Sequence, residues 1–357
     1  MDYAEAADAR NGWPRLRVAD WAETRDTVHM WTQIVGKIRM AHAPMLNHWW
    51  HVTLYVTPRG LATSRIPYGR GAFDIEFDFC DHRLHIRSSD GTAESVVLEA
   101  KSVAEFHAEV FQALRRLGID TSIRAIPNEV DPAIPFAADD RHASYDAQAV
   151  RLFWHQLVQT DRVLNEFRSY FSGKASPVHF FWGSMDLAYT RFSGRATSTE
   201  PGGAPNCPDW VMAEAYSHET SGCGFWQGGG EEGAFYAYSF PEPAGYSEYV
   251  SEADGTVYSK ADKLYLLPYE NVRAAPDPDG TMSRFLHSTY GVAAETGRWD
   301  RAGLEIDPDR WRQHRHHRQP RAGARRRLAL TPGLSRPDVG PTGQGPSIGP
   351  GMDLDVK

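Results

Sequence analysis

Gly71-Ala72-Phe73-Asp74-Ile75-Glu76-Phe77-Asp78-Phe79 is the stretch that decides the fold class. Large apolar side chains fall on every second residue with acids between them, the period of a half-buried strand with one wet face. Downstream, 83–88 and 94–99 read as two more short strands around the turn Ser88-Ser89-Asp90-Gly91. Ser102 with Glu105 three residues on forms a capping box for a closing helix, and a short strand is expected at 121–126. Upstream, Trp31, Ile34, Val35 and Ile38 recur at i, i+3, i+4 and i+7, a helical stripe, followed by an expected strand over 48–57. Strands follow one another between helices and do not alternate with them. The reading is α+β: an antiparallel sheet covered on one face by helices.

The same order recurs later in the chain. Trp31-Thr32-Gln33-Ile34-Val35 returns as Trp154-His155-Gln156-Leu157-Val158, and His48-Trp49-Trp50 as His179-Phe180-Phe181. Gly71-Ala72-Phe73 returns as Gly233-Ala234-Phe235, and Phe106, Phe111 and Gly118 match Phe285, Tyr290 and Gly297. The offset only grows, as loop insertions in a second copy would make it. Two tandem helix–antiparallel meander–helix units, an internal duplication, are therefore expected: 13–140 with its Pro- and acid-rich linker, and 141–300. Residues 1–12 read as a flexible start and 301–357 as a disordered tail rich in Arg, Pro and Gly.

Composition narrows the function classes. The 357 residues are 41% hydrophobic and 24% charged, an ordinary globular balance without a run long enough to span a membrane. Residues 309–357 hold ten Lys and Arg against four Asp and Glu, which leaves 28 basic and 42 acidic residues in 1–308. An acidic body repels polyanions, so no nucleic acid is expected on the folded part. The start MDYAEAADAR has neither a basic nor an apolar segment, and Cys80, Cys207 and Cys223 form no C-x-x-C pair. A reduced, cytoplasmic protein is expected.

Longer motifs go further. His29-Met30-Trp31-Thr32-Gln33-Ile34-Val35-Gly36-Lys37, Asn47-His48-Trp49-Trp50-His51-Val52 and Phe181-Trp182-Gly183-Ser184-Met185-Asp186-Leu187-Ala188 stand out. So do Asn206-Cys207-Pro208-Asp209-Trp210-Val211-Met212 and Ala215-Tyr216-Ser217-His218-Glu219. On these the chain resembles, over roughly 13–300, a bacterial family called domain of unknown function 5996. The resemblance implies a shared fold and a shared site, and carries no activity with it.

Neither a nucleophile elbow nor a P-loop, dinucleotide fingerprint or H-E-x-x-H is present, so no cofactor is named. If 48–57 and 178–188 are strands, Trp49, His51, Thr53 and Tyr55 share one face, and Phe180, Trp182, Ser184 and Asp186 the equivalent one. His48 and His179 then point the other way. Arg59 and Arg191 follow these strands, and two guanidinium groups in one cleft would suit an anion; the plain alternative is that both cap strand ends or pair with surface acids. Alternation over 213–221 places Tyr216 and His218 on one face, making His218 the candidate for proton transfer with Asp186 as its partner. A hydrogen-bonded core histidine is the alternative. A metal site on His179 and His218 lacks ligand spacing and is set aside, as is Cys207, which has no visible activating partner. Trp49, Trp182 and Trp226 complete the expected aromatic walls, the last from a glycine-rich loop, 222–233.

The expectation is a soluble enzyme acting by general acid/base chemistry on a small polar or anionic molecule in an aromatic cleft between the units. A non-catalytic small-molecule-binding module is the alternative, and a protein-interaction scaffold the third.

Overall fold

The computed structural model describes residues 12–306. Helix α1 (Ala22–His42) is buried on nearly every side from Thr24 to Arg39, and its Trp31 stacks on Phe106 of α2 (Val103–Arg116) with centroids 4.5 Å apart. The capping box forms as read: the Ser102 hydroxyl accepts from the Glu105 N–H, and the Glu105 carboxylate accepts from the Ser102 N–H. Six strands lie between these helices in sequence: β1 (Tyr55–Val56), β2 (Gly60–Ala62), β3 (Ile66–Tyr68), β4 (Gly71–Asp78), β5 (Arg83–Ser88) and β6 (Ala93–Val97). They pair antiparallel in the order β1-β2-β4-β5-β6, with β3 also on β4. Phe73, Ile75 and Phe77 are buried as the alternation requires. The acids between them are covered too. Arg87 pairs with Asp74 and Glu76, and Arg59 with Asp78, so the face expected to be wet is roofed by guanidinium groups.

The second half repeats the order helix, sheet, helix. After α3 (Ala147–Arg168) come β7 (His179–Phe181), β8 (Asp186–Ala196), the short helix α4 (Asp209–Ala215), β9 (His218–Trp226), β10 (Ala234–Phe240), β11 (Val257–Ser259) and β12 (Leu264–Pro268). Then follow α5 (Tyr269–Ala274), α6 (Pro278–Thr296) and α7 (Arg301–Leu304). The six strands are antiparallel in the order β11-β12-β10-β9-β8-β7. Helices α3 and α6 lie on one face, where Phe153 packs on Phe180, Phe167 on Tyr189 and Tyr290 on Phe167. The two sheets meet edge to edge. Leu54 and Phe180 exchange both backbone hydrogen bonds, at 2.9 and 2.7 Å, just beyond β1 and within β7.

Several expected elements differ, for tertiary reasons. The strand expected over 48–57 is cut down to β1 at its end: Asn47–Trp49 is a 3₁₀ turn, with His48 at φ 55° and Trp49 at φ 61°, and pairing starts only at Leu54. That turn is held from outside, since the His48 N–H donates to Glu214 Oε1 (2.9 Å) and the Trp49 indole to the Val211 carbonyl (3.0 Å). The strand expected at 178–188 is two strands, β7 and β8, folded back through a turn at 182–185 with Met185 at φ 57°. The strand expected over 213–221 is the end of α4 followed by the start of β9. No strand forms at 121–126. Of the stretch expected to be a tail, 301–306 is ordered, with α7 in it and Glu305 bridging to Phe171. The rest of that stretch, and residues 1–11 of the expected flexible start, lie outside the described residues.

Candidate functional site

The face of the second sheet turned away from α3 and α6 holds the polar residues. Register puts Asp186, Ala188 and Thr190 of β8, Trp226, Gly224 and Gly222 of β9, and Tyr236 and Tyr238 of β10 on that face. Gly222 and Gly224 are what make it a site. A Cβ at Gly222 would lie 2.4 Å from the Tyr238 ring, and one at Gly224 would lie 2.5 Å from the Tyr236 hydroxyl. With no side chain at 222 and 224, the two tyrosine rings lie close over β9, and Tyr236 reaches β8 to donate to Asp186 Oδ2. Ser184 donates to Asp186 Oδ1. Tyr216, just past α4, brings its hydroxyl to 3.5 Å from that of Tyr238.

The other wall is a clasp between two loops. The Glu129 N–H donates to the Pro205 carbonyl, Asn128 Nδ2 to the Asn206 carbonyl and Asn206 Nδ2 to the Val130 carbonyl, each at 2.7 Å. Both Glu129 (φ 59°) and Asn206 (φ 52°) sit in the left-handed region, a cost that the clasp offsets. As a residue Glu129 is exposed, but its carboxyl turns inward against Gly183, where any Cβ would lie 2.1 Å from Oε1.

Helix α1 fixes both walls from behind. His29, Gln33, Gly36 and Lys37 fall at i, i+4, i+7 and i+8, one stripe of the helix. His29 Nε2 lies 3.0 and 2.9 Å from the carbonyls of Trp182 and Gly183; both accept, so that nitrogen carries the hydrogen. Gln33 exchanges two hydrogen bonds with the backbone of Asn128, at 2.7 and 2.9 Å, and Lys37 Nζ donates to Asn128 Oδ1. Gly36 lies flush on the Trp182 indole, which donates to the Val52 carbonyl at 2.8 Å.

The electrostatics follow from burial and from two carboxyls near enough for the charge of one to act on the other. Burial, then the nearby Asp186 charge, pushes the Glu129 carboxyl up to about 7. Burial also raises Asp186, against the hydrogen bonds from Ser184 and Tyr236 that favour its ionised form. Lys37, 1% exposed, is pushed down to about 8 by burial and by Arg124. Burial and Glu129 both raise the Cys207 thiol, the opposite of what an activated nucleophile needs. Among the described residues, no three His, Cys, Asp or Glu side chains are grouped to hold a metal.

Of the residues singled out from sequence, Asp186, Trp182, Tyr216 and Trp226 come together here. Trp226 is 44% exposed and directly opposite Asp186 on the neighbouring strand. His179 shares the face on β7, diagonal to Asp186. His218 is elsewhere. It pairs with Ala196, beyond an irregularity in β8, eight residues along β9 from the partner of Asp186, so the two are about 25 Å apart along the sheet. Its ring lies 5.5 Å from His48, and it does not form the expected pair with Asp186. Trp49 and His51 belong to the 47–51 turn, with Trp49 centred 5.1 Å from Trp210 and His51 accepting from the Leu46 N–H. Arg59 is a surface group bound by Asp78 and Asp81. Arg191 projects from the opposite, helix-covered face, boxed by Phe167, Tyr290, Phe171 and Tyr189. The expected twin-arginine cleft does not form, because strand parity and the turn at 182–185 send the two side chains to unrelated surfaces.

Glu129, Tyr236, Tyr238, Gln33 and Lys37 were not among the expected site residues. The available signal was the polar stripe on an otherwise apolar, buried α1, together with the alternation of Gly222 and Gly224 against Tyr236 and Tyr238.

The fold and site define an α+β protein of two edge-joined antiparallel sheets, with a carboxyl–tyrosine recess on one of them. The chain belongs to the Family of unknown function (DUF5996), whose model matches residues 13–306. No curated protein and no solved structure matches it. Among the described residues, no helix is long and apolar enough to cross a membrane.

Proposed function

We propose that the protein is an enzyme that transfers protons to and from a small polar molecule held against Tyr216, Tyr236, Tyr238 and Trp226. Glu129 is the general acid/base, and Asp186 keeps it poised. The observation that carries this reading is the carboxyl pair: Glu129, raised to about 7 by burial and by Asp186, holds and releases a proton near neutrality. Asp186 is anchored by Ser184 and Tyr236, so Glu129 is the member free to exchange. Two carboxyls disfavour an anionic reacting group at this point, so the group acted on is neutral or cationic. Trp226, half exposed beside Asp186, offers a stacking surface at the mouth.

The test is untargeted mass spectrometry of a metabolite extract incubated with wild-type protein and with Glu129→Gln. A compound consumed by the wild type and spared by the variant supports the reading. A compound retained unchanged by both makes the protein a binding module instead. Carbon-13 carboxyl NMR that finds Glu129 titrating near 4.5 removes the basis for the role assigned to it.

A further inference from the structure

Among the described residues, three buried cations have no carboxylate partner: Lys37, Arg39 and Arg191. Two of them are otherwise satisfied. Lys37 is bonded to Asn128, and Arg191 donates to the Phe167 carbonyl at 2.6 Å and to the Tyr189 hydroxyl at 3.3 Å inside its four rings. Arg39 is satisfied only in part. It is 6% exposed, donates through Nη1 to the Thr53 carbonyl and makes a side-chain hydrogen bond with Tyr55, over whose ring it lies at 5.3 Å, but its Nε has no partner. Across the seam, the Leu54–Phe180 bridge sets Tyr55 opposite His179, with ring centroids 6.5 Å apart. His179 is 1% exposed, and neither ring nitrogen has a hydrogen-bond partner. Nearly all buried polar groups in folded proteins are paired, so three orphaned nitrogens on two side chains that both lie against the Tyr55 ring mark a place built for something polar.

We propose that Arg39 and His179 form a binding subsite for a carboxylate group at the seam between the two sheets. A guanidinium is charged at every accessible pH, and a buried one without a counter-ion is completed by an anion. A planar carboxylate matches the unpaired Nε edge, while an uncharged imidazole supplies one further N–H. The His179 ring is kept uncharged by burial and by Arg39 itself, so it adds a donor without a second full charge. Tyr55, half-buried, walls the subsite on the first-sheet side. This subsite stands independently of the acid/base reading, although His179 and Asp186 share one face of adjacent strands.

The probe is carbon-13 formate, followed by line broadening on adding the full-length protein, with acetate and chloride as competitors. Formate broadening that acetate reverses and equal chloride does not is the expected result. Arg39→Gln weakens binding by about tenfold or more and His179→Leu by about threefold, from the loss of a charge-assisted and a neutral donor respectively. Arg59→Gln, at an exposed ion pair, leaves binding unchanged. If Arg39→Gln does not fold, His179→Leu, which keeps the cation, still reads the subsite. Absence of broadening by the wild type, equal competition by chloride, or binding unchanged in both Arg39→Gln and His179→Leu overturns the assignment.

Discussion

Alanine at Gly222 tests whether β9 is bare at 222 and 224 so that tyrosine rings can lie across it. The three atoms nearest a Cβ there all belong to Tyr238: Cε1 and Cζ at 2.4 Å and the hydroxyl at 2.6 Å. Ordinary contact begins at 3.4 Å, so the ring has to withdraw by the difference, and its hydroxyl leaves Tyr216. Overpacking of this kind costs about 1–3 kcal/mol. Replacing glycine within a strand returns about 0.5–1 kcal/mol through the unfolded chain, leaving a net loss between about 0 and 2.5 kcal/mol. Urea unfolding of the wild type, Gly222→Ala, Tyr238→Ala and the double variant separates the two contributions. With the ring gone, the clash is gone, and alanine at position 222 becomes neutral or stabilising. The reasoning fails if Gly222→Ala costs the same in the Tyr238→Ala background as in the wild type, because the penalty would then lie in the backbone and not in the ring.

Other outcomes follow from the site's protonation and bonding. Because the folded-state value of Glu129 is raised, its favourable contribution is full below the usual carboxylate value of 4.5 and is lost as pH rises through about 7. Urea midpoints at pH 5 and 8 should therefore differ less in Glu129→Gln than in the wild type, and an unchanged difference counts against the inward placement of that carboxyl. His179 behaves oppositely: its value is depressed to about 3 by burial, so its contribution is present above 6.5 and is lost as pH falls from there. Circular dichroism during acid titration should show His179→Leu holding its structure to lower pH than the wild type. Tyr236→Phe removes one of the two side-chain donors to Asp186, costing about 1–2 kcal/mol and raising the Asp186 carboxyl further, which carboxyl NMR reads directly; no movement of that resonance would separate Tyr236 from Asp186.

Strong local periodicity made much of the scaffold legible. The alternation at 73–79, the stripe on α1 and the Ser102–Glu105 box each describe interactions within a few residues, and each element formed where it was read. The failures cluster at the site. The 47–51 turn, the reversal at 182–185 and the helix at 209–215 carry left-handed residues or side chains bonded to distant backbone. Apolar and aromatic residues there alternate as a strand would, because packing against α4 and α1 asks for the same residue types. Once a turn interrupts the strand, parity assignments across it change. Phe180, read as sharing a face with Asp186, lies on the helix-covered side, and His179, read as pointing the other way, shares the Asp186 face. His218 is parted from Asp186 by distance along β9.

By itself the sequence determined an acidic α+β body in which helices bracket antiparallel strands, and a set of motifs that identify the family. Hydrophobic period and capping are local, and the chain carries them wherever it goes. Tertiary structure alone decided that the sheets join at Leu54 and Phe180, that the Glu129 carboxyl lies against Gly183, and that Arg39 and His179 both lie against Tyr55 at the seam. Those pairings join residues scores of positions apart. They depend on glycines at 222 and 224 admitting two rings and on one helix stripe gripping two loops, and neither condition has a short-range sequence period.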